Sequence, residues 1–207
     1  MDLSDIDLFV FDFDGTLVQS NEIKRSTFYE VTSHLDGAAE LLPSLMGRAD
    51  LDRYGIASEL ARQVNGVDAH ALVEAYTNRC EQLIRTCPEV PGAGELLRVL
   101  AEQGRPAVVN SATPEKDLTK AIADRSFAPH LRHVFGRPCS KSKNLEKAMT
   151  LCEATPETTV MIGDGEADRV GAAEAKCRFL AIRSDQNDFS SAPPYMAENL
   201  SQVIDWI

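Results

Sequence analysis

Short apolar runs alternate with amphipathic segments along most of the chain. Runs rich in Val, Ile, Leu and Phe occupy residues 6–13, 106–110, 159–162 and, more weakly, 179–182, and each is followed directly or after one residue by Gly, Ser or Asp. Predominantly apolar runs of this length are typical of strands that are buried on both faces of a parallel sheet. Apolar residues at helical spacing fill the segments 94–103, 118–123 and 143–153. Strands that alternate with helices predict an α/β fold with a doubly wound parallel sheet.

One long segment departs from this alternation. Between residues 22 and 87 only helical periods occur, at 23–35, 51–64 and 69–84. We therefore predict a small all-helical domain, 19–88, inserted after the first strand of an α/β core formed by 1–18 and 89–207. Such an insertion is expected to act as a cap over the carboxyl ends of the strands, where open α/β sheets bind their ligands. The segment 184–194 is predicted to be a loop.

Charge and cysteine content narrow the possible functions. The 207 residues carry a formal net charge of −11, which disfavours binding to nucleic acid and to anionic membranes. A small anionic substrate requires a metal ion or local basic groups. The first residues are acidic, and the five cysteines lack the close spacing of metal or redox motifs. We expect a cytoplasmic protein with reduced cysteines, a monomer or weak homodimer.

Two acids follow the first apolar run directly. Alternate residues of a strand share a face, so Asp12 and Asp14 are expected to emerge together where the strand ends. Carboxylates held so close are tolerable only with a divalent cation or a shared proton. Gly15 permits a tight turn with no Cβ in the way of a bound oxyanion. A solvated Asp-rich turn is the alternative, but it does not explain a buried strand that leads straight into two acids.

At Asp12-Phe13-Asp14-Gly15-Thr16 the chain resembles the haloacid dehalogenase superfamily of phosphatases, whose first motif is Asp-x-Asp-Gly-Thr. The resemblance implies a Rossmann-like core and an aspartyl-phosphate on Asp12, with Asp14 as general acid and base. It also implies that Gly15 and Thr16 help to bind the substrate. Dehalogenases and phosphonatases of the family usually lack the second acid, so Asp14 favours phosphate esters. Three later motifs are expected at the ends of later strands.

The second motif of the family is a Ser or Thr that ends a strand. Ser111 stands at this position, and its hydroxyl, with the backbone N–H of Ala112, is expected to hold phosphoryl oxygens. A Ser at a strand end is also a common helix N-cap, and Thr113 before Pro114 is an alternative for that role.

The third motif is a lysine. The segment from Gly136 to Leu145 resembles the Gly-x-Pro-x-x-Lys segment of some members, which indicates Lys141. Its charge would offset the nucleophile and the phosphoryl group. Lys143 is the alternative because the loop length varies, and a solvated basic loop is the structural interpretation.

The fourth motif, Gly-Asp-x-x-x-Asp, matches Asp164 and Asp168. The resemblance implies a metal site formed by Asp12, the backbone carbonyl of Asp14, Asp164 and Asp168. Hard oxygen donors without His or Cys favour Mg²⁺. Glu166 is interpreted as a solvated acid in the first turn of a helix.

Taken together, these motifs predict a Mg²⁺-dependent phosphatase for a small phosphorylated metabolite, similar to phosphoglycolate phosphatases and β-phosphoglucomutases. Leu45-Met46-Gly47-Arg48 resembles the cap loop of these enzymes, so Arg48 is a candidate to grip a second anionic group on the substrate. A surface arginine between helices is the structural interpretation. A phosphomutase and a catalytically idle relative that binds a phosphorylated ligand remain alternatives.

Overall fold

The computed structural model describes residues 2–48, 51–185, 187 and 189–207. Within these residues the strands form one sheet in the order β3-β2-β1-β4-β5-β6, and every pairing is parallel. The strands are β1 (Leu8–Phe11), β2 (Ala107–Pro114), β3 (Leu131–Arg137), β4 (Thr159–Gly163), β5 (Arg178–Ile182) and β6 (Met196–Ala197). The predicted α/β fold with a doubly wound parallel sheet is confirmed.

The helices fall into two groups along the chain. The first group follows β1 without an intervening strand: α1 (Asn21–Thr32), α2 (Ala38–Met46), α3 (Arg53–Gln63) and α4 (Ala69–Ile84). The second group connects or follows the later strands: α5 (Ala93–Glu102), α6 (Glu115–Ile122), α7 (Lys141–Cys152), α8 (Glu166–Glu174) and α9 (Leu200–Ile204). A short 3₁₀ helix, Ala128–His130, precedes β3.

The central strand β1 is buried on both faces because its side chains alternate between them. Leu8 and Val10 belong to an apolar cluster that also contains Leu145 of α7 and Ala172 of α8. Phe9 and Phe11 point the other way and are equally buried. On that second side of the core, α5 contacts both β2 and α9. The continuous apolar run around β1 is therefore explained by helices on both faces of the sheet.

The chain separates into two compact units. One contains residues 1–19 and 87–207, and the other contains residues 20–86. The sequence-based boundaries, 1–18, 19–88 and 89–207, place Gln19, Cys87 and Pro88 in the helical domain instead. In the structure Gln19 and Pro88 are joined within the α/β unit, since the Gln19 N–H donates to the Pro88 carbonyl at 2.9 Å. Val18 and Glu89 form an antiparallel bridge beside them.

The helical unit has its own core. Helix α1 contacts α2 and α4, and α3 contacts α2 and α4. The Phe28 and Tyr76 rings stack with their centroids 4.0 Å apart. Asp52 and Asp68 cap α3 and α4, each accepting two backbone N–H bonds. The function of this unit as a cap stays a prediction.

Sequence patterns did not indicate strands β3 and β6, helices α2 and α9 or the short 3₁₀ helix. Strand β3 lies at the edge of the sheet, and its exposed Arg132 and His133 break the apolar run that marked the other strands. Strand β6 has two residues. Helix α2 contains Pro43, which is unfavourable inside a helix. The predicted loop 184–194 has no helix or strand in its described part, and residues 186 and 188 lie outside the described residues.

No helix in the described part of the chain combines the length and the apolar character that crossing a bilayer requires. All five cysteines are free, and Cys80 and Cys87 are buried.

The core of α5 allows a direct test of the packing. Leu97 is completely buried, whereas Leu151 of α7 is 42% exposed. Leu97→Ala is expected to lower the free energy of unfolding by about 2–5 kcal/mol because it removes buried contacts and leaves a cavity. Leu151→Ala is expected to change it by about 0.5 kcal/mol or less. Urea unfolding followed by circular dichroism measures both, and equal losses would contradict the described packing.

Candidate active site

The centre of the candidate site is Asp12, the first residue after β1. Its N–H donates to the Ile162 carbonyl of β4 at 2.8 Å, so the backbone is still held by the sheet where the side chain emerges. The residue is 7% exposed. Since β1 lies between β2 and β4, Asp12 stands at the middle of the carboxyl edge of the sheet. That edge is where open α/β sheets place their ligands.

A tight turn follows Asp12 and brings the second acid into the same region. Gly15 adopts a φ of +78°, and its N–H donates to the Val18 carbonyl at 2.8 Å. Asp14 is 9% exposed, and its Oδ2 accepts a hydrogen bond from the Thr113 hydroxyl at 3.2 Å. The buried Thr16 hydroxyl donates to Asp164 Oδ1 at 3.4 Å, so this residue reaches the fourth motif.

Strand β2 delivers the predicted serine. Ser111 is 2% exposed, and its Oγ accepts the Thr113 N–H at 3.1 Å. Ala112 is exposed at the end of the strand. Thr113 is not the N-cap of α6, since that position belongs to Pro114. The Thr113 hydroxyl donates to Asp14 instead, a contact that the sequence did not indicate.

The structure separates the two candidate lysines. Lys141 is the first residue of α7, and its Nζ donates to Asp12 Oδ1 at 2.7 Å and also to Asp168 Oδ1. Lys143 is exposed, and its backbone N–H donates to the N-cap Ser140 Oγ at 3.3 Å. Lys141 is therefore the lysine that contacts the acidic cluster, and it is the one that the resemblance to the Gly-x-Pro-x-x-Lys segment indicated.

Asp164 precedes α8 by two residues, and Asp168 lies within its first turn. There the Asp168 Oδ2 accepts the Gly165 N–H at 3.1 Å. Carboxylate oxygens of Asp12, Asp164 and Asp168 lie within 4.8 Å of one another. All three residues are buried. The first and fourth motifs, more than 140 residues apart at Thr16 and Asp164, thus form one cluster.

Burial governs the protonation of this cluster. Burial first, and then the charge of Asp168, raise the pKa of Asp12 to about 7, against the opposing effect of Lys141. Burial likewise raises the pKa of Asp168, although Lys141 opposes it. Burial alone would lower the pKa of Lys141, but Asp12 and Asp168 outweigh it and the pKa is raised. Lys141 is therefore charged at neutral pH.

The residues present fit a hard divalent cation. Three buried carboxylates around one ammonium leave an excess of negative charge, which burial makes costly. Oxygen ligands without nitrogen or sulfur are the donor set of Mg²⁺ rather than of zinc. A cation here would favour the ionised form of Asp12 that burial disfavours.

Glu166 is not simply solvated. Its carboxylate pairs with the Arg169 guanidinium at 2.6 and 2.7 Å and accepts the Ser190 hydroxyl at 2.6 Å. The Arg169 hydrogen bonds and then the Ser190 hydroxyl lower the pKa of Glu166 to about 2. Glu166 thus remains ionised and ties α8 to the loop before β6.

Three asparagines near the site escaped sequence analysis, since a lone Asn has no distinctive spacing. The Asn187 side chain donates to the carbonyls of Asp164 at 2.8 Å and Ile182 at 3.0 Å. Asn110 and Asn144 are buried and bond to each other. In the sequence, Asn110 stands out only as a polar residue at the end of the apolar run 106–110.

Arg48 lies in the helical unit, just after α2. Its backbone N–H donates to the Leu45 carbonyl at 3.2 Å, and its guanidinium lies 3.9 Å from Glu59 Oε1. Its side chain is 45% exposed. A role in substrate binding stays a prediction.

Comparison with known proteins agrees with the motifs. Residues 6–176 match the family model of haloacid dehalogenase-like hydrolases. Over 193 residues the chain is 28% identical to the pyrophosphatase PpaX of Bacillus mycoides (strain KBAB4), which covers 86% of this chain and 83% of that protein. The predicted family is confirmed, and so is the predicted enzyme class, a phosphatase of this family.

Two solved structures share the fold. A protein described as a predicted phosphoglycolate phosphatase from Haemophilus somnus 129PT superimposes with a TM-score of 0.79 at 15% identity, covering 98% of both chains. CbbY from Rhodobacter sphaeroides, solved in complex with xylulose-(1,5)-bisphosphate, superimposes with a TM-score of 0.73 at 16% identity. That match covers 95% of this chain and 96% of the other.

Asp168 packs closely against Gly163, the last residue of β4. A Cβ added at Gly163 would lie 2.4 Å from Asp168 Cγ, whereas one at Gly165 would lie 3.4 Å from Asp168 Oδ2. Gly163→Ala must displace Asp168 from Lys141, so it is expected to lower the free energy of unfolding by about 3 kcal/mol. Gly165→Ala is expected to cost about 1 kcal/mol, the loss of a good N-cap. Urea unfolding compares them, and similar losses would argue against the wedged position of Asp168.

Proposed function

We propose that this chain, which belongs to the haloacid dehalogenase-like hydrolase family, is a Mg²⁺-dependent phosphomonoesterase that forms an aspartyl-phosphate on Asp12. One observation carries the proposal. The buried Asp12 carboxylate accepts a hydrogen bond from the Lys141 ammonium at 2.7 Å, next to two further buried carboxylates. An ordinary structural ion pair needs one acid and one base, so the additional acids support a catalytic role.

The reaction has two steps. In the first, a carboxylate oxygen of Asp12 attacks phosphorus in line, the ester P–O bond breaks, and Asp14 gives its proton to the departing alkoxide. In the second, Asp14 removes a proton from water, whose oxygen attacks the aspartyl-phosphate and releases inorganic phosphate and the Asp12 carboxylate. The hydrogen bond from Thr113 holds the Asp14 carboxyl in place at 3.2 Å.

The other predicted residues act by binding and charge. The Ser111 hydroxyl and the Ala112 backbone N–H bind phosphoryl oxygens at the end of β2, and the turn at Gly15 and Thr16 borders the same space. Lys141 stabilises the negative charge that develops on the phosphoryl group in the transition state. These roles are supported by the arrangement of β1, β2 and α7 around Asp12.

Asp12, Asp164, Asp168 and the backbone carbonyl of Asp14 would hold Mg²⁺. When bound, the ion neutralises phosphate charge, which allows an anionic substrate to approach a protein of net charge −11. The buried carboxylate cluster supports this assignment, because its members repel one another without a cation.

The proposed substrate is a small phosphorylated metabolite such as phosphoglycolate or a sugar phosphate. Arg48 is proposed to recognise a second anionic group on that substrate, since a guanidinium pairs well with carboxylate or phosphate. Pyrophosphate is a second candidate because the curated relative in Bacillus mycoides is named a pyrophosphatase. A panel of phosphoglycolate, hexose phosphates and pyrophosphate, compared by kcat/KM, decides between them.

Removal of the proposed nucleophile is the central test. Asp12→Asn is expected to lower kcat for p-nitrophenyl phosphate by roughly four orders of magnitude or more, because no covalent intermediate can form. Acid-quenched wild-type enzyme should carry label from ³²P-labelled substrate that hydroxylamine releases, and Asp12→Asn should carry none. Asp5→Asn, which alters an exposed acid paired with Arg178, is the control.

The outcomes of this assay separate the alternatives. A chelator is expected to abolish wild-type turnover and added Mg²⁺ to restore it. Turnover by Asp12→Asn at the wild-type rate would mean that another residue is the nucleophile. No turnover by wild type with any divalent metal would favour a ligand-binding relative, and isomerisation of a sugar phosphate without free phosphate would favour a mutase.

Specificity is tested at Arg48. Arg48→Ala is expected to lower kcat/KM for the preferred panel substrate by about 10–100-fold, the value of a charged hydrogen bond, with little effect on p-nitrophenyl phosphate. Arg62 also pairs with Glu59, at 2.7 Å, and its side chain is 72% exposed, so Arg62→Ala is the matched control. Equal losses on both substrates would remove Arg48 from substrate recognition.

A further inference from the structure

Two buried asparagines connect three elements of the α/β unit. Asn110 in β2 is completely buried and Asn144 in α7 is 1% exposed. The Asn144 amide donates to Asn110 Oδ1 at 3.1 Å and to the Gly136 carbonyl of β3 at 3.2 Å. The Asn110 amide donates to the Lys141 carbonyl at 3.0 Å. The pair therefore holds the first turn of α7 against the ends of β2 and β3.

The positions of these bonds connect them to the proposed chemistry. Asn110 immediately precedes Ser111, and the carbonyl that it binds belongs to Lys141 itself. A lysine side chain is flexible, with a stem of four carbons, so it does not fix the position of its own ammonium. The placement of the lysine backbone therefore decides which groups the ammonium can reach. The 2.7 Å contact between Lys141 Nζ and Asp12 Oδ1 thus depends on where α7 begins.

Stability alone does not account for the pair. Burying an amide costs free energy unless it is hydrogen-bonded, and an apolar pair of similar volume avoids that cost. Apolar residues fill the neighbouring positions Val108, Val109 and Leu145, which are all completely buried. A polar pair at this place supplies directional bonds that apolar packing cannot provide.

We propose that Asn110 and Asn144 are positioning residues for the phosphatase reaction. They hold the start of α7 so that the Lys141 ammonium keeps its contact with the Asp12 carboxylate, beside the end of β2 that carries Ser111. The inference rests on the proposed function for its catalytic consequence. Its structural part, the placement of Lys141 by the two amides, is independent of any substrate.

The kinetic test uses Asn110→Leu, Asn144→Leu and the double variant, which remove the amides at similar volume. Each is expected to lower kcat for p-nitrophenyl phosphate by about 10–100-fold, as loss of supporting groups around an active site does, with a smaller change in KM. The double variant is expected to lose no more kcat than the worse single variant, because both residues act through one network. The double variant should also be more stable than the single variants, since neither side-chain amide is left without its partner.

The control is Thr159→Val, which removes another buried polar group at similar volume. Thr159 is completely buried at the start of β4, the opposite end of the strand from Asp164, and its hydroxyl donates to the Thr155 carbonyl at 2.7 Å. It is expected to lose stability and retain kcat. If the Asn variants change kcat only as much as Thr159→Val at equal stability, the positioning role is wrong.

A second measurement does not need turnover. Acetic anhydride labelling followed by mass spectrometry reports how accessible each lysine is, and the Lys141 side chain is 11% exposed and ion-paired. Lys141 is expected to be protected in wild type and in Thr159→Val, and to lose protection in the Asn110 and Asn144 variants. Asn144→Ala, a smaller change, serves if the leucine variants do not fold. Unchanged protection would overturn the inference even if the phosphatase activity is established, and absent wild-type turnover with lost protection would overturn the proposed function alone.

Discussion

The Lys141 ammonium lies between the carboxylates of Asp12 and Asp168, and the acidic cluster depends on it. Carboxylates this close repel one another, and burial adds the cost of removing their charges from water. One lysine compensates only part of that charge, because Asp164 belongs to the same cluster. The remaining negative charge explains why a hard divalent cation fits the site. Such a cation would also offset the repulsion between this acidic protein and a phosphate.

The sheet explains where this cluster forms. The carboxyl ends of parallel strands lie at the same edge of the sheet. The residues at the ends of β1, β2 and β4 therefore come together there although they are distant in sequence. Two helices also start at this edge: α7 with Lys141, and α8 with Asp168 in its first turn. The positive end of the α8 dipole favours the carboxylate that the surrounding acids disfavour.

Uncharged amides refine what the sheet provides. Asn110 donates to the carbonyl of Lys141, Asn144 to that of Gly136 and Asn187 to that of Asp164. Strand and helix packing places these segments approximately, whereas phosphoryl transfer depends on fractions of an ångström. Directional bonds to backbone groups supply that precision without adding charge to a cluster that already has too much.

The sequence by itself determined the parallel α/β core, because local periodicity reveals the buried strands. Resemblance to the family's motifs indicated the family and the candidate acids Asp12, Asp14, Asp164 and Asp168, which stand after apolar runs. Only the tertiary structure decided that Lys141 and not Lys143 meets Asp12, that Thr113 serves Asp14, and that edge strand β3 exists. The physical reason is distance along the chain: Lys141 and Asp12 are 129 residues apart, and their contact depends on how α7 packs rather than on any local pattern.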